Sequence, residues 1–381
     1  MRMDVVATIR EISVITRFLL GLGCLLLVMA AQAGEVYQGK VGRMPVVMTL
    51  DTSSDGTVSG RYFYRKYRKD IPLSGKWEGK SLLLSEGWDN SEPEKVAMRL
   101  ERSGNGLRGE WVGKKPLSII LTVIDGRAIE IPDPVLAGWR QRDPYELLRL
   151  EGLSLKTNKS ETFQGYGLQW LQEPQSNITH FRITSGLPAE QLGKLNHMLA
   201  KRQWSEVESY FQCMSTPMGG EFGQTVTPHL ISPNLLSASI FTGYFCGGAH
   251  PDFGDSPLNI NVLTGEELTL EDLLWVGSGA PVKFDKSYDR AESEYRNKLL
   301  APWLVQEFQR LYPDEMTSDP EECNYADSSV WEVNSWYMTE KGIVFEPYFP
   351  RIARNCELTE WSLLPWSVIK QHPGRLPQLL P

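Results

Sequence analysis

The residues best suited to chemistry stand together in Gly243-Tyr244-Phe245-Cys246-Gly247-Gly248-Ala249-His250-Pro251-Asp252. A histidine works as acid or base when a carboxylate orients it and a hydroxyl or water exchanges its proton. Asp252 and Asp255 follow His250 closely. Ser237 and Ser239 lie in the apolar, small-residue run 235–241 that leads into the glycines. Such a set would serve a hydrolase. The alternative is structural: Gly247-Gly248 turn the chain where a Cβ would clash, Pro251 keeps His250 extended, and the imidazole fixes the turn. Triads are defined by geometry rather than spacing, so the turn-fixing role is the preferred reading. Ligand contact by Gly247, Gly248, His250 and Asp252 is the intermediate one.

A second stretch, 61–69, interleaves basic and aromatic side chains: Arg61, Arg65, Lys66, Arg68 and Lys69 among Tyr62, Phe63, Tyr64 and Tyr67. On a strand, Arg61, Phe63, Arg65 and Tyr67 share one face. A ribbon of this kind, with Arg61, Tyr64, Arg65 and Tyr67 as its contact residues, stacks on sugars or holds an anionic glycan. The plainer expectation is a solvated hairpin whose aromatics serve a core.

Other chemistry is missing. The chain has no H-E-x-x-H, G-x-S-x-G or phosphate-loop motif, and His180, His197, His229, His250 and His372 are scattered. The acidic run 314–322 lacks the fixed spacing of a calcium loop, and 51–56 reads as a turn. Neither metal nor cofactor is expected.

The elements that must position these residues follow from length and pattern. A chain of 381 residues is long enough for two domains. Arg2, Arg10 and Arg17, the apolar run 18–30 and Ala31-Gln32-Ala33 predict a signal peptide over 1–33 cut after Ala33. Cys24 lies inside that apolar run. Removing 1–33 takes away three basic residues and two acidic ones (Asp4, Glu11), moving the net charge from -8 to -9. That balance argues against nucleic acid as a partner. No later run is long enough to span a membrane. Cys213, Cys246, Cys323 and Cys356 remain, an even number in an oxidising compartment. None has C-x-x-C spacing. Of three pairings, Cys213–Cys246 and Cys323–Cys356 are preferred because each joins nearest neighbours in sequence.

Short alternating runs at 36–41, 45–50, 56–64, 71–77, 81–85, 96–101, 107–112 and 117–123 predict an all-β domain over 34–125, a meander barrel or sandwich. Gly75-Lys76-Trp77 and Gly109-Glu110-Trp111 hint at a half-repeat. Residues 126–144, punctuated by prolines, read as a linker. Over 145–381 the pattern predicts strands at 147–155, 166–171 and 179–184. A helix follows from Pro188 through Lys201, then a second helical segment over 204–211 and strands at 225–232, 234–245 and 258–262. Thr269 and Asp272 form a capping box. Helices at 285–300 and 303–312 break at Pro302. Strands return at 330–336 and 342–348, and 361–368 mixes strand with a short helical turn. The whole is α+β, its second domain built on antiparallel sheet.

Cys246-Gly247-Gly248-Ala249-His250-Pro251, the runs 259–265 and 268–273, the later run 336–345, Pro347-Tyr348-Phe349 and Leu364-Pro365-Trp366 together resemble the RsiV-like C-terminal domain family, which also occurs in the peptidoglycan deacetylase PdaC. The resemblance covers about residues 145–370. It implies an extracytoplasmic module; one branch binds lysozyme as the outer part of an anti-sigma factor, another sits beside a metal-dependent catalytic domain. This chain carries neither an internal membrane span nor that catalytic domain. The expectation is therefore an exported periplasmic or secreted binding protein of the cell envelope, recognising a lysozyme-type protein or peptidoglycan-related glycan. The alternatives are a cell-wall hydrolase using His250 and a structural scaffold.

Overall fold

Eight strands between Glu35 and Val123 close on themselves in the computed structural model, which describes residues 34–87, 95–131, 133–139, 143–216, 219–284, 290–316 and 323–381. They are β1 (Glu35–Val41), β2 (Met44–Thr52), β3 (Thr57–Tyr64), β4 (Asp70–Glu78), β5 (Ser81–Glu86), β6 (Val96–Ser103), β7 (Gly106–Trp111) and β8 (Leu117–Val123). Each pairs antiparallel with the next, and β8 returns to β1 with Gly39 opposite Leu121. Closure removes the sheet edges, and strand alternation fills the interior with Val46, Met48, Val58, Tyr62, Leu82, Leu84, Met98 and Leu100. The two Gly-x-Trp phrases occupy equivalent bends. A Cβ on Gly75 would sit 1.9 Å from the Leu83 carbonyl, and one on Gly109 the same distance from that of Arg99. A small barrel curves sharply enough that only glycine fits there.

The outward faces of β2 and β3 are also covered. Val47 and Phe63 are buried against Ile129, Leu136, Trp139, Tyr145 and Leu147, and against Trp204, Val207 and Phe211. The segment read as a linker thus contributes side chains to a second core. The run expected as a strand over 147–155 is a helix instead, α1 (Pro144–Leu150). Asp143 caps it, its Oδ1 accepting from the amides of Tyr145 and Glu146, and Pro144 suits the first turn. The helix is buried on all sides, which hides its periodicity and makes it read as a strand.

Three further antiparallel sheets follow. The first comprises β9 (Lys156–Phe163), β10 (Tyr166–Gln172) and β11 (Thr179–Ser185). Next comes α2 (Ala189–Cys213), one helix of 25 residues rather than two segments. The second sheet has β12 (Glu221–Ile231), β13 (Leu235–Phe245), β14 (Asp252–Asp255), β15 (Leu258–Asn261) and β16 (Glu266–Glu267). Helix α3 (Leu270–Leu273) starts at the Thr269–Asp272 capping box. Residues 285–289, expected to open the next helix, lie outside the described residues. Helix α4 (Arg290–Tyr295) runs through a π-helical turn, Arg296–Leu300, into α5 (Ala301–Leu311). Pro302 therefore does not break the path: the widened turn shifts the hydrogen-bond register, with the Ala301 amide reaching back to Arg296 O. The last sheet is β17 (Ser335–Met338), β18 (Gly342–Glu346) and β19 (Leu363–Pro365). The strand expected over 330–336 begins only at Ser335, because Asp327 caps a 3-10 turn at Ser328–Trp331 through the Ser329 amide.

Both expected disulfides form, Cys213–Cys246 and Cys323–Cys356. Among the described residues no helix is long and apolar enough to cross a membrane, and no group of three or more acidic, histidine or cysteine side chains is placed to hold a metal ion. The expected signal peptide and Ala33 lie outside the described residues.

Candidate functional site

Strand β13 is where the second and last sheets meet. The Met338 amide donates to Ser237 Oγ at 2.8 Å, that hydroxyl donates to Asn259 Oδ1 at 2.6 Å, and Asn259 Nδ2 donates to the Trp336 carbonyl at 2.8 Å. This buried polar chain sets β17 against β13 and β15. Beyond it the two sheets diverge around a cleft of about 540 Å³. Its lining includes Asp255 and Phe253 from β14, Asn334, Ser335 and Trp336 at the start of β17, and Glu346, Pro347 and Tyr348 at the end of β18. Glu357 and Arg354 close one side from the 3-10 turn Arg351–Cys356 and its cap.

The cleft is acidic. Arg354 ion-pairs with Asp252 at 3.0 Å and with Glu357 at 2.8 Å, and its guanidinium lies over the rings of Phe253 and Tyr348. Asp255 accepts from the Ile240 amide at 2.7 Å. Glu346, directly across β17–β18 from Ser335, is only 8% exposed, and its Oε2 has no hydrogen-bond partner among the described residues. Burial raises its pKa to about 7, with Asp255 and Glu357 adding to the rise and Ser335 opposing it. Burial raises Asp255 as well, against its backbone hydrogen bonds and Arg202. Asn334 spends its amide nitrogen on the Trp331 carbonyl at 2.6 Å, and its buried Oδ1 has no partner among the described residues. Around this polar floor stand exposed apolar side chains: Val333 (61%), Tyr348 (56%), Leu358 and Tyr244. Leaving buried acceptors unpaired is costly, so these two atoms of the cleft are free to accept from a donor, water or ligand, that enters from solvent.

The residues singled out by sequence fall mostly elsewhere. Gly247 and Gly248 do take left-handed backbone, φ +85° and +113°, and turn the chain after β13. His250 beyond them is exposed and makes no hydrogen bond or ion pair among the described residues. The acid/base set around it does not assemble. Ser237 serves the polar chain above. Ser239 meets His229 Nε2 at 2.9 Å, in a ring stacked on Tyr337 at 4.0 Å, and burial lowers that histidine's pKa. Asp252 is held by Arg354 next to the cleft.

The basic–aromatic stretch stops being a strand at Tyr64 and turns, with Arg68 in left-handed backbone at φ 57°. Tyr62 lies in the barrel core, and Tyr64 packs edge-on against it at 5.5 Å. Arg61 pairs with Glu146 at 3.2 Å, Arg65 with Glu151, and Arg68 donates to the carbonyls of Arg149 and Glu151. In return Arg149, fully buried, donates to the Arg68 carbonyl, to both Asp70 oxygens and to Glu146, with its guanidinium 4.7 Å from the Phe63 ring. The stretch is therefore the joint between barrel and α1. Of its contact candidates only Tyr67 is largely exposed.

Sequence reasoning missed Glu346, Asn334 and Arg354. The one available signal for Glu346 was a charge closing the apolar run Gly342-Ile343-Val344-Phe345 just before Pro347, between two phrases that carry the family resemblance. No protein-family model matches the chain, and no curated protein matches it. Among solved structures it is similar to a DUF3298-family member from Bacteroides fragilis, at 16% identity over 60% of this chain and 96% of that one, with a TM-score of 0.34. A likeness at that level carries no conclusion about activity.

Proposed function

We propose that this chain is an exported binding protein of the cell envelope, periplasmic or secreted, and that the cleft between β14 and β18 receives a basic protein of the lysozyme type. The observation that carries this reading is an acidic floor ringed by exposed apolar side chains. Protein interfaces place their decisive contacts in such a centre, surrounded by apolar groups that exclude water. The negative charge of the cleft and of the chain steers a cationic partner toward it. The two disulfides and the RsiV-like phrases favour an extracytoplasmic setting. A hydrolase centred on His250 gains no support, since among the described residues neither a carboxylate nor a hydroxyl pairs with that imidazole.

Calorimetry of the oxidised chain with hen lysozyme and with purified peptidoglycan fragments tests the proposal. Micromolar or tighter lysozyme binding, weakened by Tyr348→Ala, is expected. Binding to peptidoglycan fragments alone would transfer the cleft to a glycan ligand. Binding to neither would remove the proposal and leave a structural scaffold.

A further inference from the structure

We infer that the floor of this cleft is a seat for one arginine side chain of the protein partner, with the guanidinium held by Glu346 and Asn334. The inference rests on the proposed reading of the cleft and names the chemical group that it takes. Three observations point there. The unpaired atoms on the floor, Glu346 Oε2 and Asn334 Oδ1, are both acceptors. The incoming group must therefore bring several donors at once, and a carboxylate demands that it be cationic. A guanidinium has five N–H donors in a plane, while an ammonium has three on a compact, strongly hydrated head.

The second observation is that the cleft already holds a guanidinium of this kind. Arg354 lies between carboxylates, Asp252 and Glu357, and over aromatic faces, Phe253 at 4.9 Å and Tyr348 at 5.8 Å. Those two carboxylates are thereby neutralised, and Glu346 is not. Third, the entrance to the floor is lined by Tyr348 and Val333, apolar surfaces on which the aliphatic stem of an arginine can lie.

The test uses the full oxidised chain and small probes. N-acetyl-arginine amide, N-acetyl-lysine amide and chitotetraose are titrated by NMR against the wild type, Glu346→Gln and Asn334→Ala, with folding of each variant checked by circular dichroism. Saturable binding of the arginine probe, tighter than the lysine probe and weakened about tenfold or more by Glu346→Gln, is expected. The groups acting on Glu346 are Asp255, Ser335, Tyr337 and Glu357, the last of them ion-paired with Arg354. Because the cation replaces a proton on Glu346, arginine affinity should rise between pH 5.5 and 8 in the wild type and stay flat in Glu346→Gln. Equal affinity of the arginine probe for wild type and Glu346→Gln, no saturation, or chitotetraose as the sole probe lost in the variant would each overturn the seat. Lysozyme binding that survives Glu346→Gln unchanged would overturn the seat and leave the proposed function standing. Arginine binding without lysozyme binding would keep the seat and change the partner.

Discussion

The joint around Arg149 and the cleft around Glu346 both bury charge, and they do so in opposite ways. At the joint each charged side chain has a partner of opposite charge or a carbonyl, although the Nε atoms of Arg61 and Arg68 make no hydrogen bond among the described residues. Arg149 has Asp70, Glu146 and the Arg68 carbonyl, and Tyr145 donates to Asp70 at 2.6 Å. Such a network fixes one arrangement of barrel and α1, because any slip leaves a charge in apolar surroundings. In the cleft, the carboxylates of Asp252 and Glu357 are answered by Arg354, while Glu346 keeps an unpaired oxygen. A completed network is architecture; an incomplete one beside solvent is where a ligand completes it. The basic–aromatic stretch 61–69 offers a glycan-binding ribbon in sequence, yet Arg61, Arg65 and Arg68 are spent internally.

The largest break in this comparison comes at the joint. Arg149→Met removes the central cation from a buried network and leaves Asp70 and Glu146 with only the half-exposed Arg61 and the Tyr145 hydroxyl, so urea unfolding should show a loss of about 3–5 kcal/mol. A loss under about 1 kcal/mol would mean that solvent reaches the joint. Next is Cys213→Ser with Cys246→Ser. Opening a cross-link between residues 33 apart should cost about 3–4 kcal/mol. It should also weaken binding in the cleft, since it frees the end of β13 that carries Tyr244.

Glu346→Gln should have the opposite sign. The folded-state pKa of Glu346 is raised from 4.5 to about 7, so the fold favours the neutral carboxyl. Its stabilising contribution is full below pH 4.5 and is lost as pH rises toward 7. Glu346→Gln should therefore match the wild type at pH 4 and exceed it at pH 8, by at most about 3 kcal/mol on linkage grounds. Thermal melts at the two pH values check it; a variant destabilised at pH 8 would show that the carboxylate is already paired. The smallest effects belong to His250→Ala and Tyr67→Ala, exposed positions expected to change stability by less than about 0.5 kcal/mol. Loss of lysozyme binding in His250→Ala would move the binding surface to the glycine turn.

The sequence was most legible where the pattern is local. All eight barrel strands follow from period-two alternation and turn residues, since each strand pairs with its neighbour in the chain. The disulfide partners are nearest neighbours, and the Thr269 capping box needs only four residues. Legibility failed where packing overrides period. Helix α1 is covered on every side by the barrel and α2, its Glu146–Arg149 pair turned into the joint rather than to solvent, and its leucines read as a strand.

By itself, then, the sequence determined an all-β first domain of eight short strands, barrel or sandwich, the α+β character of the rest, a preferred pairing of the cysteines and the turn at Gly247-Gly248; closure into a barrel came with the tertiary structure. The first four depend on short-range sterics and on which residues can face a core. Tertiary structure alone decided what the charges do. Whether Arg61, Arg65 and Arg149 meet a ligand or Glu146, Glu151 and Asp70 depends on segments about 80 residues apart coming together. Whether Glu346 is paired depends on how β14, β17 and the turn after β18 converge. Electrostatic partners are set by distance in space, and no local pattern encodes a partner that stays absent until a ligand supplies it.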